Sequence, residues 1–115
     1  MTSLVHKKCT PCEGAVSVLS RVEAEKLIRN LNGWNLLPNG KSIRVEYVMK
    51  NFQSAVDLIN QITKVAEAEN HHPDIHLTGY RKLAVELSTH AIGGLSENDF
   101  ILAAKIDQLP KQLKT

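Results

Sequence analysis

Apolar residues recur along this chain with two periods, 3.6 and 2, and each switch between them marks a change of element. Ala24, Leu27, Ile28 and Leu31 stand at i, i+3, i+4 and i+7, with charges opposite. Ahead of them Ser20-Arg21-Val22-Glu23 reads as a capping box, in which a hydroxyl and a carboxylate each satisfy a free helix-start amide. Gly33 stops this first helix. Trp34 to Leu37 is a short strand, and Pro38-Asn39-Gly40 has turn chemistry. Ile43, Val45, Tyr47 and Met49 alternate with polar partners as far as Lys50, so a second strand and a hairpin follow. Asn51 caps a long helix whose inner face is Phe52, Ala55, Val56, Ile59, Ile62, Thr63 and Ala66. Leu58 and Val65 widen that face, as a subunit contact or as a broad core contact. Pro73 pushes the residue before it toward extended geometry, so this helix ends near His72. Ile75 and Leu77 mark a third strand, and Leu83, Val85 and Leu87 a fourth, with Gly79-Tyr80-Arg81 as the turn between. Ser96 and Asp99 resemble a second capping box. Leu102, Ile106 and Leu109 give the last helix its stripe, and Pro110 its end.

The resulting order is α-β-β-α-β-β-α. Strands joined by hairpins favour antiparallel pairing with the helices gathered on one face, an α+β two-layer sandwich. A chain of 115 residues suits one such domain. Residues 1–19 read as an irregular N-terminal arm, 20–110 as the domain and 111–115 as a C-terminal tail. A formal charge of +2 is too mild to imply a nucleic-acid or anionic-membrane surface, so direct nucleic-acid binding is not expected. No apolar run approaches the roughly 20 residues needed to span a bilayer. The first residues lack the apolar region of a secretory signal, which makes a cytoplasmic protein the simplest expectation. Cys9 and Cys12 form a lone C-x-x-C with no second ligand pair, in a Pro- and Gly-bearing leader, and we read them as inert.

Chemistry gathers around Glu67-Ala68-Glu69-Asn70-His71-His72-Pro73-Asp74. Free imidazole titrates near neutral pH and can give or take a proton there. Adjacent residues on a helix point about 100° apart, and on a strand to opposite faces. His71 and His72 therefore share a cleft only where the backbone changes course, and Pro73 supplies that change. His90 closes the fourth strand after Ser88 and Thr89. If the third and fourth strands form a hairpin, the ends opposite Tyr80 meet, and His71, His72 and His90 converge. Such a trio is a proton-transfer site that needs no cofactor. A metal site completed by Glu67 or Asp99 is the competing reading, although the spacing matches no helical ligand pair. Asp99 reads equally as the capping partner of Ser96. His6 and His76, taken singly, fit surface or capping residues.

The run Glu67-x-x-x-His71-His72-Pro73, followed by Tyr80, His90 and Asp99, resembles the signature of the pterin-4a-carbinolamine dehydratases. Six residues separate Pro73 from Tyr80, nine separate Tyr80 from His90, and eight separate His90 from Asp99. Leu31-Asn32-Gly33-Trp34, Leu87-Ser88-Thr89-His90 and Gly94-Leu95-Ser96-Glu97-Asn98-Asp99 agree as well, so the similarity spans about residues 20–109. Ile75 departs from it, standing near where many relatives carry an aromatic residue. The resemblance implies a four-stranded antiparallel sheet with three helices on one side, assembled as a homodimer or homotetramer. It implies dehydration of 4a-hydroxytetrahydrobiopterin to quinonoid dihydrobiopterin, a step in tetrahydrobiopterin recycling that requires no cofactor and no metal. It also implies catalytic roles for His71, His72 and His90, with Glu67, Asn70, Ser88, Thr89, Asp99 and Trp34 at the pterin site. The rival expectation is a non-catalytic dimeric interaction module on the same fold.

Overall fold

The computed structural model describes residues 4–9 and 17–115. Three helices and four strands follow in the expected order: α1 (Arg21–Ile28), β1 (Asn35–Leu36), β2 (Ile43–Val48), α2 (Phe52–Glu69), β3 (Asp74–Thr78), β4 (Lys82–Leu87) and α3 (Glu97–Asp107). The capping box of α1 is closed both ways: Glu23 donates its N–H to Ser20 Oγ, and Ser20 donates its own to the Glu23 carboxylate. Asn51 and Ser54 do the same for α2.

The sheet is antiparallel throughout, in the order β1-β2-β4-β3. Residues β2 and β4 place opposite one another share a face. Ile43 meets Leu87 and Val45 meets Val85 on the side covered by helices, while Arg44 meets Glu86 on the other. Ile75 and Leu77 of β3 continue the covered face beside Val85 and Leu83. Ala55, Leu58, Ile62 and Ala66 of α2 fill the core with Phe100, Leu102 and Ile106 of α3. Each side chain of Leu or Ile size withdrawn from water in this way contributes about 1.5–3 kcal/mol.

Several boundaries differ from the sequence reading for local physical reasons. Strand β1 is two residues long, because Trp34 turns into the core and leaves only Asn35 and Leu36 paired. The inner face of α2 is rotated toward Leu58, which is 1% exposed and central to the core rather than a margin of it. Phe52 is exposed, and Thr63 faces out with its hydroxyl satisfied by the Ile59 carbonyl. Helix α2 ends at Glu69, short of His72, because Asn70 adopts a left-handed conformation with φ of 51°.

Described residues toward both termini pack on the fold. Leu4–His6 forms a 3-10 turn whose Leu4 is buried, and Lys7 pairs with Glu97 of α3 at 3.0 Å. Cys9 lies partly buried against the core, whereas Cys12, and with it the C-x-x-C pair, falls outside the described residues. At the other end Lys50 donates its N–H to the Gln112 carbonyl, and Lys114 donates to that of Val48, so the tail runs antiparallel beside the end of β2. Among the described residues no helix is long and apolar enough to cross a membrane.

Candidate active site

The end of α2 is built to change direction. Asn70 takes the left-handed conformation that caps a helix, and the Asn70 and His71 amides donate back to carbonyls of the last turn. Pro73 then sets the chain extended into β3. Four residues, Asn70 to Pro73, thus carry the backbone from helix to strand, and the two histidines among them point different ways. His71 is buried, with its ring 6% exposed, and His72 is open to solvent.

Beneath His71 lies a polar cluster drawn from three elements. Beyond β4 the chain passes Ser88 to Thr89, which bridges antiparallel to Gly94 across a 3-10 turn at His90–Ile92, so His90 opens that turn rather than closing the strand. Gly93, with φ of 67°, permits this tight return, which lays Ser96 under Thr89 at the start of α3. Asp99, fully buried, serves all of them. Its Oδ2 accepts the Thr89 hydroxyl at 2.8 Å and the Ser96 N–H at 3.0 Å, and its Oδ1 meets His71 Nε2 at 2.6 Å. A carboxylate only accepts, so Nε2 of His71 carries the proton in this pair. A helix N-terminus favours negative charge, which suits an aspartate buried there.

The expected convergence is present. Asn70, His71, His72, Ser88, Thr89, His90 and Ala91 line one open cleft of about 160 Å³. His72 also borders an adjoining groove of about 150 Å³ that contains Glu67, Pro73 and Ile75, and there its Nε2 meets Glu67 Oε2 at 2.5 Å. Among the described residues no three His, Cys, Asp or Glu side chains gather as a metal ion requires, since the two histidines turn to different carboxylates. His6 and His76 are both exposed and away from the cleft.

Trp34 is not brought to this place. It is buried, and its indole Nε1–H donates to Asp107 Oδ1 at 3.0 Å near the far end of α3. Sequence reasoning named Ser96 only as a cap and so missed its hydroxyl contact with Thr89. A larger hollow, about 420 Å³, lies between the N-terminal arm, α1 and α3 and is lined by none of the cleft residues. Size is a poor guide here: its Lys7 and Glu97 neutralise one another, whereas the smaller cleft concentrates three imidazoles.

Comparison with known proteins bears on the same residues. The sequence model of the family described as pterin 4 alpha carbinolamine dehydratase matches residues 17–109. A Nitrosospira multiformis protein assigned provisionally to that activity is 53% identical over 106 residues, covering 92% of this chain and 91% of its own. Pterin-4-alpha-carbinolamine dehydratase 2, mitochondrial, of Arabidopsis thaliana is 38% identical over 112 residues, covering 95% of this chain and 60% of its own. A crystal structure described as a transcriptional coactivator/pterin dehydratase from Brucella melitensis superposes with a TM-score of 0.73 at 29% identity, covering 78% of this chain and 95% of that one. With the family's pattern running through all three helices, the sheet and the histidine cleft, the chain belongs to the pterin 4 alpha carbinolamine dehydratase family of hydro-lyases.

Proposed function

We propose that the histidine cleft removes water from a 4a-hydroxytetrahydropterin, giving the quinonoid dihydropterin, by acid–base catalysis. The reaction needs a proton on a poor leaving group, hydroxide, while the C4a–O bond breaks. The N5 lone pair forms the new C4a=N5 bond, and the N5 proton leaves. Electrons and protons balance with water as the other product, so no oxidant, nicotinamide or flavin enters. On this reading His72, in the open and backed by Glu67, delivers the proton to the departing hydroxyl, and His90 across the cleft takes the one from N5. His71 is fixed by Asp99 and presents its ring from the buried side. Asn70, Ser88 and Thr89 supply backbone and side-chain polarity for the flat amide edge of the pterin. The protein acts as a homodimer or homotetramer.

The observation that carries this reading is the buried Asp99, which spends one oxygen on Thr89 and Ser96 and the other on His71, directly behind the cleft. A fold kept only for partner binding gains the Asp99 cap on α3 but has no use for an imidazole fixed beside an open cleft. The test is dehydration of a 4a-hydroxytetrahydropterin by purified protein. His72→Ala and His90→Ala should each lose roughly 10²- to 10⁴-fold in rate, the usual worth of a positioned acid or base. The pH–rate profile should be a bell that a chelator leaves unchanged. Folded wild-type protein no faster than buffer would sink the enzyme reading in favour of an interaction module. Activity abolished by chelation and restored by zinc would overturn the acid–base mechanism.

A further inference from the structure

We propose that Glu69, gripped by the N-terminal arm at Cys9 and by Lys105, is a positioning residue for the His71–Asp99 pair; this rests on the dehydratase reading of that pair. Glu69 is the last residue of α2, two before His71, and its side chain is 7% exposed. Both carboxylate oxygens are engaged. Oε1 accepts the Cys9 N–H at 2.8 Å, and Oε2 accepts Lys105 Nζ at 3.1 Å. The Cys9 thiol in turn donates to the carbonyl of Asn98 at 3.5 Å, the residue next to Asp99. One residue of the arm therefore ties together the two backbone segments that present His71 and Asp99.

A carboxylate at this place is costly without such partners. An anion in the last turn of a helix opposes the helix dipole, and burial removes its water. Burial pushes the Glu69 carboxyl up, but the Cys9 amide, Lys105 and the Cys9 thiol together outweigh it and hold the group below the ordinary carboxylate range. The Cys9 thiol is pushed up to about 12 by burial and then by the Glu69 carboxylate, so it stays protonated and able to donate. Only Asn70 lies between this clamp and His71. A small rotation of the last helical turn would swing the His71 ring off Asp99, and a displacement of about 1 Å at a reacting group can cost roughly a hundredfold in rate.

The experiment compares full-length wild type, Glu69→Ala, Glu69→Gln and a control, Lys111→Met. Lys111 Nζ donates to the carbonyls of Ile106, Asp107 and Leu109 at the far end of α3, so its loss loosens the fold without touching the cleft. Kinetics with a 4a-hydroxytetrahydropterin are read beside an NMR titration of the histidine rings. In Glu69→Ala, kcat should fall roughly tenfold to a hundredfold with KM moved less than about twofold. The His71 titration should shift while that of His72 stays. Glu69→Gln should recover part of the loss, since its amide oxygen still accepts the Cys9 N–H, and Lys111→Met should lower Tm yet keep kcat. Folded Glu69→Ala with wild-type kcat and an unmoved His71 titration would overturn the proposal, as would an equal loss of kcat in Lys111→Met. If Glu69→Ala does not fold, Glu69→Gln carries the same comparison. If wild type catalyses nothing, the dehydratase reading falls, and the His71 titration alone decides the clamp.

Discussion

His71 and His72 are neighbours in sequence whose rings meet carboxylates in opposite surroundings. The partners of the first pair, His71 and Asp99, are sealed from water, while His72 and Glu67 stand well out in it. Surroundings decide what each is worth. A solvated pair contributes under about 1 kcal/mol, so Glu67→Gln should hardly move stability. Asp99 accepts from His71, Thr89 and Ser96 with no water to replace any of them. Asp99→Asn keeps the size but turns an amide N–H₂ toward one of those donors, which should cost about 2–4 kcal/mol. It should also lower kcat by releasing His71. Urea unfolding of the two variants is the check, and equal losses would contradict the assignment. The histidine doublet was legible in sequence because no apolar period explains it. The partner of His71 was not, for Asp99 stands 28 positions further along the chain. Ser96-x-x-Asp99 reads as a cap or as a site residue, and the structure needs no choice: one oxygen reaches back to the helix start and the other holds the imidazole. Trp34 fails in the opposite direction. An aromatic ring with one N–H suits a flat ligand as well as a core, and only packing shows that it goes to Asp107.

At the scale of elements, period tells type and polarity tells face, but neither tells phase. Strand β4 is plain from Leu83, Val85 and Leu87 because their three large apolar side chains on one face leave a single register, although the small Ala84 is buried as well. Helix α2 was plain in type, yet its buried stripe centres on Ala55, Leu58, Ile62 and Ala66, a rotation that depends on where α3 lies. Its end was placed by Pro73, whereas the stop is set earlier by Asn70, a residue that tolerates the left-handed turn. The clamp at that end gives the fold a pH signature. The folded Glu69 carboxyl titrates below its ordinary value despite burial, owing to Cys9 and Lys105. A lowered folded value means stability that is complete above the unfolded carboxylate range, about pH 4.3, and that vanishes as pH falls through the folded value. Glu69→Gln has no such term. Its Tm should trail wild type near neutrality, and the gap should close on acidification. Thermal melts between about pH 3 and about pH 7 read this directly, and parallel curves across that range would show that Glu69 contributes nothing by ionising.

At the scale of the whole molecule, one long sheet edge is left among the described residues. On the β1 side Ile43 and Arg44 of β2 are paired with Leu36 and Asn35, and the end of β2 is covered by the tail at Gln112 and Lys114. On the other side β3 is outermost, five residues long, with no strand beyond it among the described residues. An open edge presents a row of backbone donors and acceptors that a second strand satisfies. In sequence, Leu58 and Val65 on α2 are the apolar surplus that suggests a subunit contact. Leu58 is spent in the core and Val65 lies partly against it, so that helix offers less than its composition promised. Antiparallel pairing of two β3 edges about His76 joins identical surfaces and closes on itself, which makes a dimer the simplest unit and a pair of dimers the next. Light scattering at tens of micromolar should therefore report a homodimer or homotetramer. Backbone hydrogen exchange along Asp74–Thr78 should slow as protein concentration rises, because pairing removes those amides from water. Protection that grows on the exposed side of α2 would move the interface to the helix and leave β3 bare. A monomer throughout would remove assembly from the proposal, while the three histidines, all carried by one chain, would keep their cleft.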